Sequence, residues 1–327
     1  MRLRPTGPHG QLPYDAVMDP AIEPTLALDD VIERFLSASA FARNGAIVTD
    51  LDGTAVHEFE GRIVIPKSVS HALVELRRLH RPIVLNTLRF PLNVINTFGQ
   101  EWYDVSAAPL PLVSLNGSVV GYLREGTNGV IEFEELTSTA VPRATCEALV
   151  GELERLLASG IDDVVLFYYP HDWRAGERLW TPREARQPQL LERYRSASAI
   201  DSAPLEQLAA ALEACAPRML FVLVGASHDE LMAYQHARPN QFVTAAGVDK
   251  AHGAAVVAQQ LGFDLMASVG AGDTMMDNFL SSVGLALRVG NPSLPYSGQH
   301  ATVDLADSLA LGEFWFRLAD RVRRSAT

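Results

Sequence analysis

Two aspartates one residue apart, Asp50 and Asp52, close a β-branched run in "AIVTDLDGTAV" (residues 46–56), and the turn that follows supplies Gly53 and Thr54. Three more polar sites flank apolar runs in a similar way. They are Thr87 after "PIVLN", Lys250 in "GVDKAHGA", and Asp273 with Asp277 in "SVGAGDTMMD". In open parallel sheets ligands sit beyond the carboxyl ends of the strands, so four carboxylates, one hydroxyl and one ammonium fall on one rim. Residues 50 and 52 would share a face on a strand, but Asp52 lies in the turn, so the two carboxylates can converge. Carboxylates packed this closely repel each other unless positive charge sits among them. Oxygen-only ligands suit a hard cation, and Mg²⁺ is the natural choice for a phosphate substrate. One carboxylate is then free to attack phosphorus while the other handles protons.

The surrounding pattern supplies elements that can carry such a rim. Leu28, Val31, Ile32, Phe35 and Leu36 fall at helical spacing, which predicts a helix over about Leu26 to Arg43 stopped by Asn44-Gly45. From Ala46 short apolar runs alternate with amphipathic stretches: "AIVTD" and "PIVLNT" as strands, "SVSHALVELRRLH" and "PLNVINTFG" as helices. "LVSLNGSVVGYL" reads as a hairpin around Asn116-Gly117. Residues 118–240 break the alternation with strands at "VIEFEELT", "DVVLFYY" and "RMLFVLVG", two helices, and a long polar and aromatic loop through Trp180. The rhythm then returns, with helices at "KAHGAAVVAQQLG" and "TMMDNFLSSVG" and strands at "LMASVGAGD" and "LALRVG". The expected fold is α/β, a doubly wound Rossmann-like parallel sheet core with an inserted α+β cap domain. Residues 1–44 form an N-terminal extension with one helix, 45–117 and 241–327 the core, and 118–240 the cap.

Bulk properties narrow the function. With 327 residues, 48% of them hydrophobic, the chain can bury a large core, and a formal charge of −12 argues against nucleic acid and anionic membrane as partners. Cys146 and Cys215 are too few for a disulfide framework, no apolar run is long enough for a signal peptide or a membrane span, and a cytoplasmic location is expected. The only lysines are Lys67 and Lys250, so a lysine beside four carboxylates calls for a reason. An N-terminal helix with an apolar stripe must be covered by the same chain or by a second copy, which leaves a homodimer open.

These residues resemble the haloacid dehalogenase superfamily of phosphotransferases, from Ala46 to about Pro292. Asp50, Asp52, Gly53 and Thr54 match its first motif, Thr87 its second, Lys250 its third, and Gly272, Asp273 and Asp277 its fourth. A cap between the second and third motifs, entered through "LNG" at Leu115 to Gly117, is similar to the type IIB arrangement of the Cof-like and sucrose-phosphatase-like branches. The resemblance implies Asp50 as nucleophile, Asp52 as acid and base, Thr87 and Lys250 on the phosphoryl oxygens, and Mg²⁺ held by Asp50, the Asp52 backbone, Asp273 and Asp277. It also implies substrate contacts from Gly53, Arg89 and Asn116. The chain departs from that pattern at Leu88 where the branch has Gly, at Met276 where it has Asn, and at Ala55 where it has Leu.

The implied partner is a small-molecule phosphate ester, most simply a sugar phosphate. Within the insert, "FYYPHDWRAGERLWTPREAR" combines aromatic faces with polar forks, and His171, Trp173, Arg174 and Trp180 are its candidates for holding a leaving group. A phosphomutase would use the same acids, and a non-catalytic sugar-phosphate or partner-binding protein would keep the fold without turnover.

Overall fold

The apolar run at residues 46–49 becomes β1 (Ile47–Thr49), buried on both faces as expected of a strand inside a parallel sheet. In the computed structural model, which describes residues 28–59, 62–106, 109–225 and 242–325, α1 (Leu28–Ala38) and α2 (Phe41–Asn44) precede this strand. A small hairpin of β2 (His57–Phe59) and β3 (Arg62–Val64) follows it. The chain continues through α3 (Lys67–Arg78), β4 (Ile83–Asn86), α4 (Pro91–Ser106), β5 (Leu110–Ser114), β6 (Val119–Glu125) and β7 (Ile131–Ser138). The insert contains α5 (Arg143–Ala158), β8 (Val164–Tyr169), β9 (Glu177–Trp180), α6 (Gln187–Arg193), β10 (Ala197–Asp201), α7 (Leu205–Cys215), β11 (Met219–Val224) and β12 (Phe242–Val243). The chain then returns through α8 (Lys250–Leu261), β13 (Val269–Gly272), β14 (Leu285–Val289), β15 (Ala301–Leu305) and α9 (Ser308–Ser325).

The main sheet has the order β15-β14-β13-β1-β4-β5-β6-β7, parallel from β15 to β5 and antiparallel through β6 and β7. β1 lies at the centre, with Ile47 opposite both Ile83 and Val269. The chain leaves β1 toward β4 and β5, then comes back on the other side through β13. The carboxyl ends of β1, β4 and β13 therefore meet at the reversal point, where open α/β sheets form their crevice. The sequence reading places β6 and β7 in the insert, yet both continue the core sheet; the Asn116-Gly117 hairpin folds β6 back along β5, and β7 pairs with β6.

The second sheet has the order β10-β9-β8-β11-β12, antiparallel except between β9 and β10. Alternation along β8 explains its two-sided burial. Val164, Leu166 and Tyr168 pack with Cys146, Leu153, Leu208 and Leu212 of α5 and α7, while Val165, Phe167 and Tyr169 join the main core. Trp180, expected in a polar and aromatic loop, is the last residue of β9, 1% exposed, and its Nε1 donates to the Ala203 carbonyl at 2.8 Å. The insert seats on the core through rings: Phe90 lies 5.6 Å from Tyr169, and Phe133 of β7 meets Trp173 edge-on at 5.9 Å.

The N-terminal helix is two pieces, α1 and α2. Gly45 is extended (φ −85°, ψ 160°), so it does not end a helix in the left-handed region; its role is close approach, since a Cβ there would sit 2.3 Å from the Ala267 carbonyl oxygen. Ile32 and Phe35 are buried against the same chain, and Asp29 and Glu33 pair with Arg321 of α9 at 2.9 and 2.6 Å. No helix among the described residues is long and apolar enough to cross a membrane.

Candidate active site

Asp50 extends β1 by one bond, its N–H donating to the Ala271 carbonyl at 2.9 Å, and this draws its carboxylate into the interior, 5% exposed. There Lys250 Nζ donates to Asp50 Oδ1 at 2.5 Å and to Asp277 Oδ1 at 2.7 Å. Lys250 is 1% exposed and opens α8, with Asp249 as the N-cap accepting from the His252 N–H at 2.8 Å. Asp50, Asp273 and Asp277 each offer a carboxylate oxygen, all within 4.8 Å of one another.

Charge in this cluster does not balance, with three carboxylates against one ammonium. Burial, reinforced by Asp277, Asp273 and Asp52 against the opposing pull of Lys250, holds Asp50 well above its ordinary 3.8. Asp273 is pushed up to about 6, chiefly by burial and then by Asp277. Lys250 is raised in spite of its burial, because Asp277 and Asp50 surround its ammonium. A buried, oxygen-only cluster short of positive charge fits a hard divalent cation, and Asp50, Asp273 and Asp277 are the side chains that would hold it.

Asp277 does more than face Lys250. Its second oxygen accepts from Asp273 N at 3.0 Å, Thr274 N at 2.9 Å and Thr274 Oγ1 at 3.1 Å. These bonds hold residues 273–277 in a turn, and only a short 3-10 segment, Asn278–Ser281, follows where the sequence pattern predicts a helix from Thr274. Local side-chain bonds to the backbone have overridden helical spacing. Thr54 Oγ1 donates to Asp273 Oδ1 at 2.8 Å, and Gly53, at φ +79°, leaves room for that carboxylate; a Cβ on Gly53 would lie 2.3 Å from Asp273 Oδ2.

Asp52 has a different partner from Asp50. Arg89 grips it with two bonds, Nε to Oδ2 at 2.7 Å and Nη2 to Oδ1 at 2.6 Å. Arg89 is anchored in turn by Asn93 Oδ1 at 2.5 Å and by the Phe98 ring, 5.4 Å from its Cζ. Asp52 thus lies beside the three-carboxylate cluster, with its side chain outside it. Thr87 is buried at the end of β4 and accepts from the Arg89 N–H at 3.1 Å, which leaves its own O–H to donate. Asn116 sits in a left-handed stretch with Leu115 and Gly117; its N–H reaches the Thr87 carbonyl at 3.4 Å, and its buried Oδ1 has no hydrogen-bond partner within the protein.

The structure therefore brings together Asp50, Lys250, Asp273, Asp277 and Gly53, and hydrogen bonds join Asp52, Arg89, Thr87 and Asn116 into a second group. The residues proposed from the insert are not among these contacts. His171 is exposed, 3.3 Å from Glu135, Trp173 is half-buried on Phe133, Arg174 lies over the Trp173 ring at 4.4 Å, and Trp180 is interior to the insert. Sequence reasoning assigned no role to Thr54, Asn93 or Asn278, nor to Asn291, whose Nδ2 donates to the Asp273 carbonyl at 3.2 Å. For Thr54 the signal was present in the quoted "DGT" itself.

No family model and no curated protein matches the chain. Solved structures do. A sugar phosphatase of haloacid dehalogenase subclass IIB, BT4131, aligns at a TM-score of 0.57 with 16% identity, covering 82% of this chain and 96% of its own. The haloalkanoate-superfamily phosphatase BT1666 from Bacteroides thetaiotaomicron gives 0.57 and 16%, over 85% and 96%. TM0651 from Thermotoga maritima gives 0.56 and 14%, over 83% and 97%. The shared feature at these identities is the fold, a Rossmann-like core carrying an inserted α+β cap.

Proposed function

From the haloacid dehalogenase fold with a type IIB cap, we propose that this chain is a Mg²⁺-dependent phosphatase of a small phosphorylated metabolite, a sugar phosphate by preference. The observation that carries the reading is the buried cluster in which Lys250 bridges Asp50 and Asp277 while Asp273 completes the carboxylate set. Several mutually repelling acids in one interior site destabilise a fold unless they bind something.

In this reading Asp50 Oδ attacks phosphorus and the ester P–O bond breaks. The departing alkoxide takes a proton from Asp52, and Asp50 is left as an acyl phosphate. Water then attacks that phosphorus, losing its proton to Asp52, and Asp50 is regenerated as inorganic phosphate leaves. Bound Mg²⁺ supplies positive charge to the phosphoryl oxygens and to the carboxylates. Lys250 keeps Asp50 oriented and damps its repulsion of an incoming anion, and Thr87 offers its O–H to a phosphoryl oxygen. For Asp52 to transfer a proton, one of its oxygens must leave the Arg89 fork.

A panel of phosphate monoesters assayed with Mg²⁺ and with EDTA tests the reading. Phosphate release in Mg²⁺ and its loss in EDTA are the expected results; silence on every ester would remove the catalytic reading.

Discrimination among esters has to come from outside the acids, because these see only phosphate and metal. Arg174 is exposed over Trp173, where the insert meets β7. Arg174→Ala should lower kcat/KM for the best ester of the panel far more than for p-nitrophenyl phosphate. An equal change for both esters would place specificity elsewhere in the cap.

A further inference from the structure

The hydrogen bonds of the Asn278 side chain go not to the three carboxylates of the cluster but to both sides of the lysine that enters it. Its Nδ2 donates to Asp249 Oδ2 at 2.7 Å, and its Oδ1 accepts from the Ala251 N–H at 3.0 Å. Those are the residues immediately before and after Lys250. The next residue toward the N-terminus, Asp277, accepts from Lys250 Nζ. One dipeptide thus holds the lysine at both ends, Asp277 at the ammonium and Asn278 at the backbone.

The other supports of this helix start leave that job undone. Asn86 Nδ2 donates to the Lys250 carbonyl at 3.0 Å, and Gly117 lies so close to the Asp249 carbonyl that a Cβ would come within 2.0 Å of its oxygen. These contacts limit how the helix start sits against β4 and the hairpin turn. Among the described residues, Asn278 supplies the hydrogen bonds that tie its flanking residues, Asp249 and Ala251, to the segment carrying Asp273 and Asp277. A carboxamide suits the position because it is uncharged and can donate to a carboxylate with one atom while accepting from an N–H with another. Aspartate there would set a carboxylate against Asp249, and an aliphatic side chain would make neither bond.

We propose that Asn278 is a positioning residue for Lys250, fixing where its ammonium enters between Asp50 and Asp277 and so how a phosphoryl group is received. The proposal rests on the phosphatase reading. In sequence, this amide stands two residues after Met276, the position at which the resembled pattern carries its Asn.

The test uses Asn278→Asp, Asn278→Ala and the exchange Asp249→Asn/Asn278→Asp. The exchange keeps every bond: residue 249 still accepts from His252 N and now donates, and residue 278 accepts from both residue 249 and Ala251. Inorganic phosphate binding in Mg²⁺, kcat and KM for p-nitrophenyl phosphate, and the unfolding midpoint are measured for each. Both single variants should lose on the order of 10-fold in kcat/KM and in phosphate affinity, and the exchange should recover most of both. Single variants that lower only the unfolding midpoint, or an exchange that restores the midpoint without kcat/KM, would overturn the proposal and leave the phosphatase reading standing. If Asn278→Asp does not fold, Asn278→Ala and the exchange decide by the same criteria. Wild-type protein that neither binds phosphate nor hydrolyses any ester would overturn the phosphatase reading and this proposal with it.

Discussion

Asp50→Asn is expected to fold as the wild type does and to release no phosphate, with kcat reduced by about 10⁴-fold or more. The amide is nearly isosteric with the carboxylate, and its oxygen can still accept from Lys250 Nζ, so the interior contact survives. The nucleophile does not, because a carboxamide oxygen is far too weak to displace an alkoxide. Loss of turnover therefore separates from loss of structure. Burial raises Asp50 and makes its charged form unfavourable, so the variant should unfold at an equal or higher denaturant midpoint near neutral pH. Treatment of turning-over wild type with hydroxylamine should tag Asp50 as a hydroxamate, visible by mass, and the variant should carry no tag. Phosphate release at wild-type rates from Asp50→Asn would end the assignment of Asp50 as nucleophile.

The second large effect is one of stability. Lys250→Met removes the only cation that touches Asp50 and Asp277 in the described contacts, leaving the two buried acids without a counter-ion. Breaking such a pair from one side typically destabilises by about 3–5 kcal/mol. The pH dependence follows from Asp50. Its folded-state value lies above the ordinary 3.8, so the folded protein holds a proton that the unfolded chain gives up. The stability this contributes is present at low pH and is lost as pH rises from about 3.8 through the folded value. Removing Lys250 removes the opposing attraction and stretches that window to higher pH, so the deficit should be larger at pH 8 than at pH 5. Mg²⁺ at 100 times its dissociation constant would return about 2.7 kcal/mol by binding only the folded state. Denaturant titrations at both pH values, in EDTA and in Mg²⁺, measure all of this. Equal stability of Lys250→Met and wild type in EDTA at pH 8 would refute the charge account.

The carboxylate cluster was legible because its parts follow directly from strand ends. "IVT" before Asp50 and "VGAG" before Asp273 are short, apolar and bounded by turn residues, so local pattern alone places the rim. Three features lay beyond that reasoning, each for a physical cause. The helix expected from Thr274 has the right apolar spacing, but the Asp277 carboxylate closes a turn first, and periodicity carries no information about which hydrogen bond wins. Trp180 stands in a stretch whose composition reads as loop, yet β9 pairs between β8 and β10 and turns its indole inward. The partner of Asp52, Arg89, lies 37 residues away, and nothing local to "DLDGT" encodes the pairing. Pairings between distant residues decide these points, and a single sequence shows its neighbours far better than its contacts.

On the proposed reading, loading the carboxylate cluster with Mg²⁺ would also be an acid–base reaction with the solvent. Asp273 is pushed up to about 6 and Asp50 well above 3.8, so near pH 6 such a cation would compete with bound protons and have to displace them. Its apparent affinity therefore climbs as the solution becomes more alkaline through that range. The displaced protons pass to the buffer, so the heat of loading varies with the buffer's own ionisation enthalpy. Titrating Mg²⁺ calorimetrically in two buffers of different ionisation enthalpy would count the protons released per ion.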